Sequence, residues 1–222
     1  MTTPSERLIE VQGLRHDIAG RCVMDVPAFS AARGAHTLLI GPSGSGKTTL
    51  INVITGLITP TSGEVRIDGQ PMSSLPPARR DQLRRRTIGV VFQTLRLISA
   101  LTVRQNLSLA QTLALGHAEP AIIEDLIGRV GLNHRADAMP RELSHGEGQR
   151  AAIARALCAR PAIVVADEPT SALDDANAQA MADLLLSTAE ATGATLLIAT
   201  HDNRLRDRFP RTLALSAPQV TA

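Results

Sequence analysis

Aromatic side chains are almost absent from this sequence. It contains no Trp and no Tyr, and its only Phe residues are Phe29, Phe92 and Phe209. Leu, Ile, Val and Ala must therefore fill the core, and few rings are present on which nucleic-acid bases could stack. A net charge of +2 supplies no general field that would attract a polyanion. The composition thus argues against nucleic acid as a partner.

Cysteines and long apolar runs are also scarce. The two cysteines, Cys22 and Cys158, lie in unrelated segments without the spacing of a metal site or a disulfide framework, so we expect structural thiols. The first residues, MTTPSERLIEV, lack the basic start and apolar stretch of a signal peptide. No apolar run approaches the ~20 residues of a membrane span. We therefore expect a cytoplasmic chain without direct membrane insertion, which reaches a membrane only through a partner.

The remaining composition is that of a globular protein, because 44% of the 222 residues are hydrophobic and 20% are charged. Short apolar runs alternate with helical spacing, which predicts a mainly parallel sheet covered by helices. The predicted strands of this α/β sheet are 36–40, 88–92, 162–166 and 194–200, and a further short strand is predicted at 64–68.

The middle of the chain has a different pattern. From about 101 to 160 the spacing of apolar residues is helical, with Pro120 and Pro140 as breaks. We therefore predict a single domain, 1–222, in which 1–92 and 161–222 form the α/β core and 93–160 forms an inserted helical lobe.

Residues 41–48 read GPSGSGKT, a complete match to GxxxxGK[ST] between a predicted strand and a predicted helix. Glycines let backbone N–H groups converge on phosphate oxygens, and the following helix directs its positive end to the same place. Lys47 would contact the β and γ phosphates, and the Thr48 hydroxyl would bind Mg²⁺. The alternative is a glycine-rich turn that binds nothing. The predicted nucleotide-binding residues here are Gly41, Pro42, Ser43, Gly44, Ser45, Gly46, Lys47, Thr48 and Thr49.

Polar residues follow three predicted strands at the edge where this loop lies. Asp167 and Glu168 come after the strand 162–166, and we assign Mg²⁺ binding to Asp167 and activation of the attacking water to Glu168. An acidic helix cap is the plainer alternative. His201 follows the strand 194–200 and is placed to contact the γ-phosphate. Gln93 either carries an amide to the metal and the water or is simply exposed to solvent.

The segment 143–150 reads LSHGEGQR and precedes AAIARAL and, further on, VVADEPTSALD. Ser144 and Glu147 form the capping-box pattern S-x-x-E, so Ser144 should begin a helix. That helix end is either an anion site or only a structural cap. Together with GPSGSGKT, Gln93, Asp167, Glu168, the SALD turn and His201, the ordered motifs resemble those of the ABC ATPases over nearly the whole chain.

This resemblance implies a P-loop NTPase fold of the ABC type, with an antiparallel β portion beside the parallel sheet. It implies ATP and Mg²⁺ as cofactors, and a head-to-tail homodimer in which Ser144, Gly146 and Glu147 of one subunit contact the ATP of the other. It also implies integral membrane subunits as partners, with the ATPase peripheral on the inner face of the cell membrane.

The sequence departs from the family at three places. His145 replaces a glycine of LSGGE or LSGGQ and either obstructs closure on phosphate or contributes a donor. Gly148 replaces a long polar side chain. The N-terminal LRHDIAG has no aromatic residue to stack on adenine, and His16 or Ile18 is the candidate substitute. A cassette that binds ATP but hydrolyses it slowly is therefore one hypothesis.

Within the family, the segments GQPMSSL, 82–86 and VGLNHRA resemble the lipoprotein-release, macrolide-export and cell-division subfamily. This resemblance implies ATP-driven pulling on a membrane partner, either for transport or for signalling to cell-division or sensor machinery. A soluble ABC protein of ribosomes or DNA is disfavoured, since neither a second cassette nor a long coiled coil is present. A basic cluster faces either solvent, a partner helix or anionic lipid. Its members are Arg79, Arg80, Arg84, Arg85 and Arg86.

Overall fold

The computed structural model describes residues 7–171 and 173–216. They form two sheets and six α-helices. The strands are β1 (Arg7–Ile18), β2 (Arg21–Ala32), β3 (Thr37–Ile40), β4 (Ser62–Ile67), β5 (Gln70–Pro71), β6 (Ile88–Val91), β7 (Ile163–Asp167), β8 (Thr195–Thr200) and β9 (Arg211–Ala214). The α-helices are α1 (Lys47–Ile54), α2 (Pro77–Thr87), α3 (Val103–Leu115), α4 (Pro120–Arg129), α5 (His145–Leu157) and α6 (Asp175–Thr192). Short 3-10 helices span Met72–Ser74, Asn133–Arg135, Pro140–Glu142 and Asn203–Arg208.

The antiparallel sheet has the strand order β2-β1-β4-β5. Its two long strands form a hairpin through Ala19 and Gly20, which both have positive φ angles, 50° and 76°. Two successive residues of positive φ are typical of the type I′ turn, whose twist matches that of a hairpin. Neither long strand was predicted from the sequence, although an antiparallel portion was expected.

The parallel sheet has the order β6-β7-β8-β3-β9, and every pairing in it is parallel. The apolar runs predicted as strands are confirmed to within about one residue at β3, β6, β7 and β8. All six residues of β8 are buried, which explains why its four central residues, LLIA, are all apolar rather than alternating. Because the strands are parallel, their carboxyl ends meet at one edge, where polar side chains collect.

Each face of the parallel sheet carries its own core. On one face Leu38, Val164 and Ile198 pack with α3 to α6, and on the other Leu39 and Val165 pack with α1, α2 and the antiparallel sheet. Successive residues of a strand point to opposite faces, so neighbours such as Leu38 and Leu39 enter different clusters. The mixed α/β fold expected from the sequence is confirmed.

Helices α3, α4 and α5 lie between β6 and β7 in the chain, within the segment predicted to be helical. Helix α5 approaches the parallel sheet closely, because a Cβ on Gly89 of β6 would lie 2.1 Å from the carbonyl oxygen of Ala156. The division into a core and an inserted lobe at 93–160 stays a prediction. Over the described ranges, 7–171 and 173–216, none of the helices combines the length and apolar character that crossing a membrane requires.

Candidate functional site

The loop 41–46 connects β3 to α1 at the carboxyl edge of the parallel sheet. Gly44 and Gly46 have φ angles of +81° and +88°, a region that side chains with a Cβ disfavour. Gly46 also lies against the hairpin, since a Cβ there would stand 2.7 Å from the carbonyl oxygen of Val23. The glycines at these two positions therefore set the shape of the loop.

Lys47 begins α1 and turns its side chain back into this loop. Its Nζ donates to the carbonyl oxygens of Gly41 at 2.8 Å and Pro42 at 3.1 Å, and only 6% of the side chain is exposed. The same ammonium lies 3.6 Å from Glu168 Oε1. The loop therefore holds a buried positive charge close to an acid that follows β7, two strands away from β3 in the sheet.

Glu168 follows β7 in a left-handed conformation, with a φ angle of 49°. A non-glycine residue in this region stores backbone strain of about 1–3 kcal/mol, which is commonly found at functional sites. Its backbone N–H donates to the carbonyl oxygen of Ala199 at 2.8 Å, which ties the turn to β8. This conformation directs the carboxylate towards the phosphate loop.

The carboxylate of Glu168 contacts the end of the neighbouring strand. His201 Nδ1 lies 3.0 Å from both carboxylate oxygens, and the Thr200 hydroxyl donates to Oε2 at 3.0 Å. The His201 side chain is 56% exposed whereas that of Glu168 is 15% exposed, so the imidazole faces solvent and the carboxylate is largely buried. The structure thus brings Glu168 and His201 together, as their positions after two adjacent strands predicted.

Asp167 occupies the last position of β7, beside Thr48 of α1. Burial raises the pKa of Asp167, the nearby Thr48 hydroxyl lowers it, and the charge of Glu168 raises it further. Asp167 Oδ1 is buried and has no hydrogen-bond partner. A carboxylate oxygen without a donor is costly to bury, so this position favours an added cation.

A cleft of about 480 Å³ lies at this edge of the sheet, and Asp167 is not among the described residues that line it. Its wall includes Gln93, which is exposed and lies two residues after the end of β6. Ile18 and Val23 of the hairpin also line the cleft, whereas His16 does not. Of the two candidates for contact with a base, Ile18 is therefore the one that borders the cleft. The other lining residues are Ser43, Gly44, Gly46, Lys47, Thr48, Thr49, Glu168, Ser171 and His201.

In the SALD segment at 171–174, Ala172 lies outside the described residues. Ser171 lines the cleft, and Asp174 caps the N-terminus of α6, where its side chain accepts the N–H of Asn177 at 2.9 Å. The turn therefore leads from the acidic pair straight into a capped helix.

The predicted capping box at the start of α5 is confirmed. Ser144 Oγ accepts the N–H of Glu147 at 3.2 Å, and Glu147 Oε2 accepts the N–H of Ser144 at 2.7 Å. Arg135 donates to the same carboxylate at 3.1 Å. The Ser144 backbone N–H, with the Ser144 hydroxyl and Arg135, lowers the pKa of Glu147 to about 2. The Glu147 carboxylate is therefore engaged within its own chain.

Within one chain the structure does not bring this helix end to the phosphate loop. Among the described residues that line the 480 Å³ cleft, Ser144, Gly146 and Glu147 are missing. His145 is exposed and lines a neighbouring cleft of about 400 Å³ that also reaches Gln93 and Glu168. The two sets of predicted binding residues thus occupy separate surfaces of one chain.

Gly148 is explained by the packing of the segment that follows Gln93. A Cβ on Gly148 would lie 2.5 Å from Leu95 Cδ1, so the glycine leaves space for that leucine against α5. Arg155 of the same helix donates to the carbonyl oxygen of Arg96. Helix α5 therefore supports the loop that carries Gln93.

The basic cluster lies on α2, and part of it borders a groove of about 380 Å³ between α2, β6, α3 and α5. We call this the arginine groove. Its apolar side chains include Leu57 and Leu113, which are 46% and 58% exposed. No carboxylate is found among its described lining residues. The arginines that line it are Arg84, Arg85, Arg96 and Arg155.

Two residues of the site were not anticipated from the sequence. Thr200 links Glu168 to the next loop, and Asp202 accepts hydrogen bonds from Thr170 Oγ1 at 3.3 Å and from Arg204. A polar residue at the end of an otherwise apolar strand, directly before His201, is the signal that could have indicated Thr200. Nothing in the spacing indicated the partners of Asp202.

Comparisons with known proteins agree with this geometry. The profile of the protein family described as ABC transporter matches residues 25–171. The dimeric structure of MJ0796, a bacterial ABC transporter cassette, is 31% identical, with a TM-score of 0.85 and coverage of 96% of this chain and 97% of that one. A post-hydrolysis MJ0796 dimer bound to ADP and Pi is 30% identical, with a TM-score of 0.85 and coverage of 96% and 97%. The cbiO1 subunit of the cbiONQ transporter complex of Clostridium perfringens is 27% identical, with a TM-score of 0.86 and coverage of 95% and 85%.

Proposed function

The chain belongs to the ABC transporter family as an ATP-binding ATPase cassette, and we propose that it dimerises on ATP to drive a membrane partner by mechanotransmission, in lipoprotein release or export. One observation carries the catalytic part of the proposal. The Glu168 carboxylate is held between His201 and the phosphate-loop Lys47, at 3.0 Å and 3.6 Å.

The loop residues from Gly41 to Thr49 would bind the triphosphate. In this arrangement backbone N–H groups and the N-terminus of α1 face the phosphates, and Lys47 neutralises the β and γ oxygens. Ile18 and Val23 would pack on the base, because they are the apolar residues at the hairpin side of the cleft. Aliphatic contact replaces aromatic stacking here, so base selectivity should be weak.

We assign Mg²⁺ to Thr48, Gln93 and Asp167. These donors fit the ion, since hydroxyl, amide and carboxylate oxygens are hard ligands, and Asp167 Oδ1 is buried without a partner. When bound, the ion would neutralise charge on the phosphate oxygens. The raised pKa of Asp167 follows first from burial, and a divalent cation would favour its ionised form.

Hydrolysis requires a base for the attacking water, and Glu168 is the acid placed for it. His201 would contact the γ-phosphate through its exposed imidazole edge, while its Nδ1 faces the carboxylate. Gln93, which also lines the cleft, would orient the water. Thr200 helps to fix the Glu168 carboxylate by donating to Oε2.

The second ATPase subunit would complete the site. Ser144, Gly146 and Glu147 lie away from the cleft of their own chain, and the similar MJ0796 cassettes are dimeric. The Glu147 carboxylate is already bound by Ser144 and Arg135, so we propose that its contribution is structural. The Ser144 hydroxyl and the free backbone N–H groups at the start of α5 would then contact the partner's γ-phosphate.

The arginine groove is the surface that we assign to the membrane partner. Four arginines and exposed leucines line this groove, and only Arg84 among them has a carboxylate partner in the described ion pairs, Asp81 at 2.8 Å. Such a surface suits a cytoplasmic helix that carries acidic and apolar side chains. We accordingly place the chain as a peripheral subunit on the inner face of the membrane. The helical segment 93–160 contributes α3 and α5 to the groove and the start of α5 to the dimer, so we propose it as the lobe that couples them.

The catalytic assignment is tested by Glu168→Gln. This change removes the base but keeps the shape of the side chain, so turnover should fall by at least about 100-fold while ATP binding is retained. Steady-state ATPase activity and binding of a fluorescent ATP analogue measure the two effects. Glu64→Gln, a change at a half-buried position of β4 outside the cleft, is the matched control and should leave both unchanged. Retained turnover in Glu168→Gln would show that the catalytic assignment is wrong.

The partner assignment is tested by affinity purification of the intact chain from membranes. A co-purifying membrane protein with a large extracytoplasmic domain is expected, and Arg85→Glu should weaken its capture without changing ATP binding. Cargo carried by that complex would favour transport, whereas a cell-division or sensor partner without cargo would favour signalling. If Arg85→Glu leaves the capture of the membrane protein unchanged, the arginine groove is not the surface that binds it.

A further inference from the structure

Two loops leave the carboxyl ends of β7 and β8 side by side, and polar contacts join them. Thr170, which is fully buried, donates from Oγ1 to Asp202 Oδ2 at 3.3 Å. Thr200 Oγ1 donates to Glu168 Oε2 and accepts the backbone N–H of Asp202, each at 3.0 Å. The Thr200 hydroxyl therefore bridges the backbone of Asp202, the residue after His201, and the Glu168 carboxylate.

Arg204 connects this pair of loops to α6. Its Nε lies 2.8 Å from Asp202 Oδ1 and its Nη2 lies 2.7 Å from Asp202 Oδ2, a two-point contact with one carboxylate. Its Nη1 donates to Asp175, the first residue of α6. Asp202 is only 9% exposed, so its charge depends on this guanidinium for neutralisation. One side chain thus bridges two carboxylates on two separate elements.

We propose that Arg204 is a positioning residue for ATP hydrolysis, which holds the His201 loop against the start of α6 and thereby keeps the imidazole beside Glu168. This inference rests on the proposed function, because it assumes that Glu168 and His201 act at the γ-phosphate. Arg204 does not line the ATP cleft and acts through Asp202 and Thr200. The planar guanidinium of Arg204 fixes the orientation of the Asp202 carboxylate and also neutralises its charge, whereas the ammonium of a lysine would only neutralise the charge.

The chain contains a matched comparison for this role. Arg208 lies four residues further along the same 3-10 helix and also bridges to α6, where it donates to Asp183 and approaches Gln179 Oε1 at 3.5 Å. The side chains of Arg204 and Arg208 are similarly exposed, 36% and 38%. Arg208 joins the same two elements but contacts neither Asp202 nor the residues beside Glu168.

The test compares Arg204→Ala and Arg208→Ala in the full chain, with steady-state ATPase kinetics, affinity for a fluorescent ATP analogue and thermal unfolding. Arg208→Ala removes an exposed ion pair and should lower Tm by less than about 4 °C. Arg204→Ala also leaves the sheltered Asp202 carboxylate without its guanidinium, so its Tm should fall further. Arg204→Ala should lower kcat about tenfold while KM and nucleotide affinity change by less than about twofold. Arg208→Ala should keep its kcat.

The proposal is overturned if the two variants lower kcat equally, or if Arg204→Ala weakens nucleotide binding as much as it slows turnover. Should Arg204→Ala fail to fold, Arg204→Lys decides by the same criterion, because it keeps the charge and loses the two-point contact. Failure of the proposed function has a different signature, since Glu168→Gln would then retain turnover. If Glu168→Gln is inactive and Arg204→Ala is fully active, only the role of Arg204 is refuted.

Discussion

A substitution at Gly148 tests how α5 supports the loop that carries Gln93. In Gly148→Ala the new Cβ would lie 2.5 Å from Leu95 Cδ1, which is well inside the usual separation of two carbon atoms, about 3.5–4.0 Å. Leu95 must therefore turn aside. Since Leu95 lies two residues after Gln93, its displacement reaches the side chain that we assign to the metal and the attacking water.

Two opposing effects set the stability of Gly148→Ala. Replacing a glycine by alanine inside a helix stabilises it by about 0.5–1 kcal/mol. Leu95 is half-buried, so its displacement costs about half of the 1.5–3 kcal/mol that full burial provides, or about 0.8–1.5 kcal/mol. The net change lies between about 0.2 kcal/mol of stabilisation and about 1 kcal/mol of destabilisation. For a chain of this length the corresponding fall in Tm is no more than about 4 °C.

Gly128→Ala is the matched control, because Gly128 lies in α4 and its new Cβ would meet Asn133 Oδ1 at an ordinary 3.5 Å. This control should be stabilised by the full amount of about 0.5–1 kcal/mol that alanine contributes over glycine in a helix, and it should keep its ATPase activity. Gly148→Ala should instead lower kcat several-fold at saturating ATP with little change in Tm. Thermal unfolding and steady-state ATPase assays on both variants measure the difference. If Gly148→Ala raises Tm as much as Gly128→Ala and keeps its kcat, the reasoning about Leu95 is refuted.

Three further predictions concern stability, thiol chemistry and the phosphate loop. His36 is buried and its Nδ1 accepts the N–H of Leu196, and burial lowers the pKa of this imidazole. Because the unfolded chain then binds a proton more readily than the folded chain, the free energy of unfolding should fall as the pH drops below about 6.5. His36→Asn keeps an acceptor, and urea unfolding at pH 7 and pH 5 should show a smaller loss than in the wild type; an equal loss would contradict this. Burial raises the pKa of Cys158 to about 12, so a thiol reagent at pH 8 should react with the half-buried Cys22 alone until the chain is denatured. Gly46→Ala forces a φ angle near +88° on alanine, at about 1–2 kcal/mol, and should abolish ATP binding in an equilibrium titration; binding at wild-type affinity would be inconsistent with the loop geometry.

The placement of the candidate site residues was largely predictable from the sequence because these features are local. The phosphate loop is one contiguous segment whose glycines, lysine and threonine define its shape and charge. Asp167, Glu168 and His201 each follow a buried strand, and parallel strands bring their carboxyl ends to one edge. The capping box of Ser144 and Glu147 is likewise a contact across three residues. Such features need no knowledge of distant parts of the chain.

The two longest strands could not be predicted in the same way. In β1 both Leu8 and Ile9 are buried, and the register shifts between Arg7 and Ile9. A second irregularity separates Gln12 from Arg15 in the pairing with β4. Bulges of this kind interrupt the alternation of buried and exposed residues on which a strand prediction depends.

By itself the sequence determined the phosphate loop, the strands buried on both faces, the acidic pair and the capped helix, because local spacing and periodicity encode them. Only the tertiary structure decided that Ile18 rather than His16 borders the cleft and that Gly148 makes room for Leu95. Only the tertiary structure joined Arg204 to both Asp202 and Asp175. These contacts connect separate elements, and their partners are set by how the sheets and helices pack rather than by spacing along the chain.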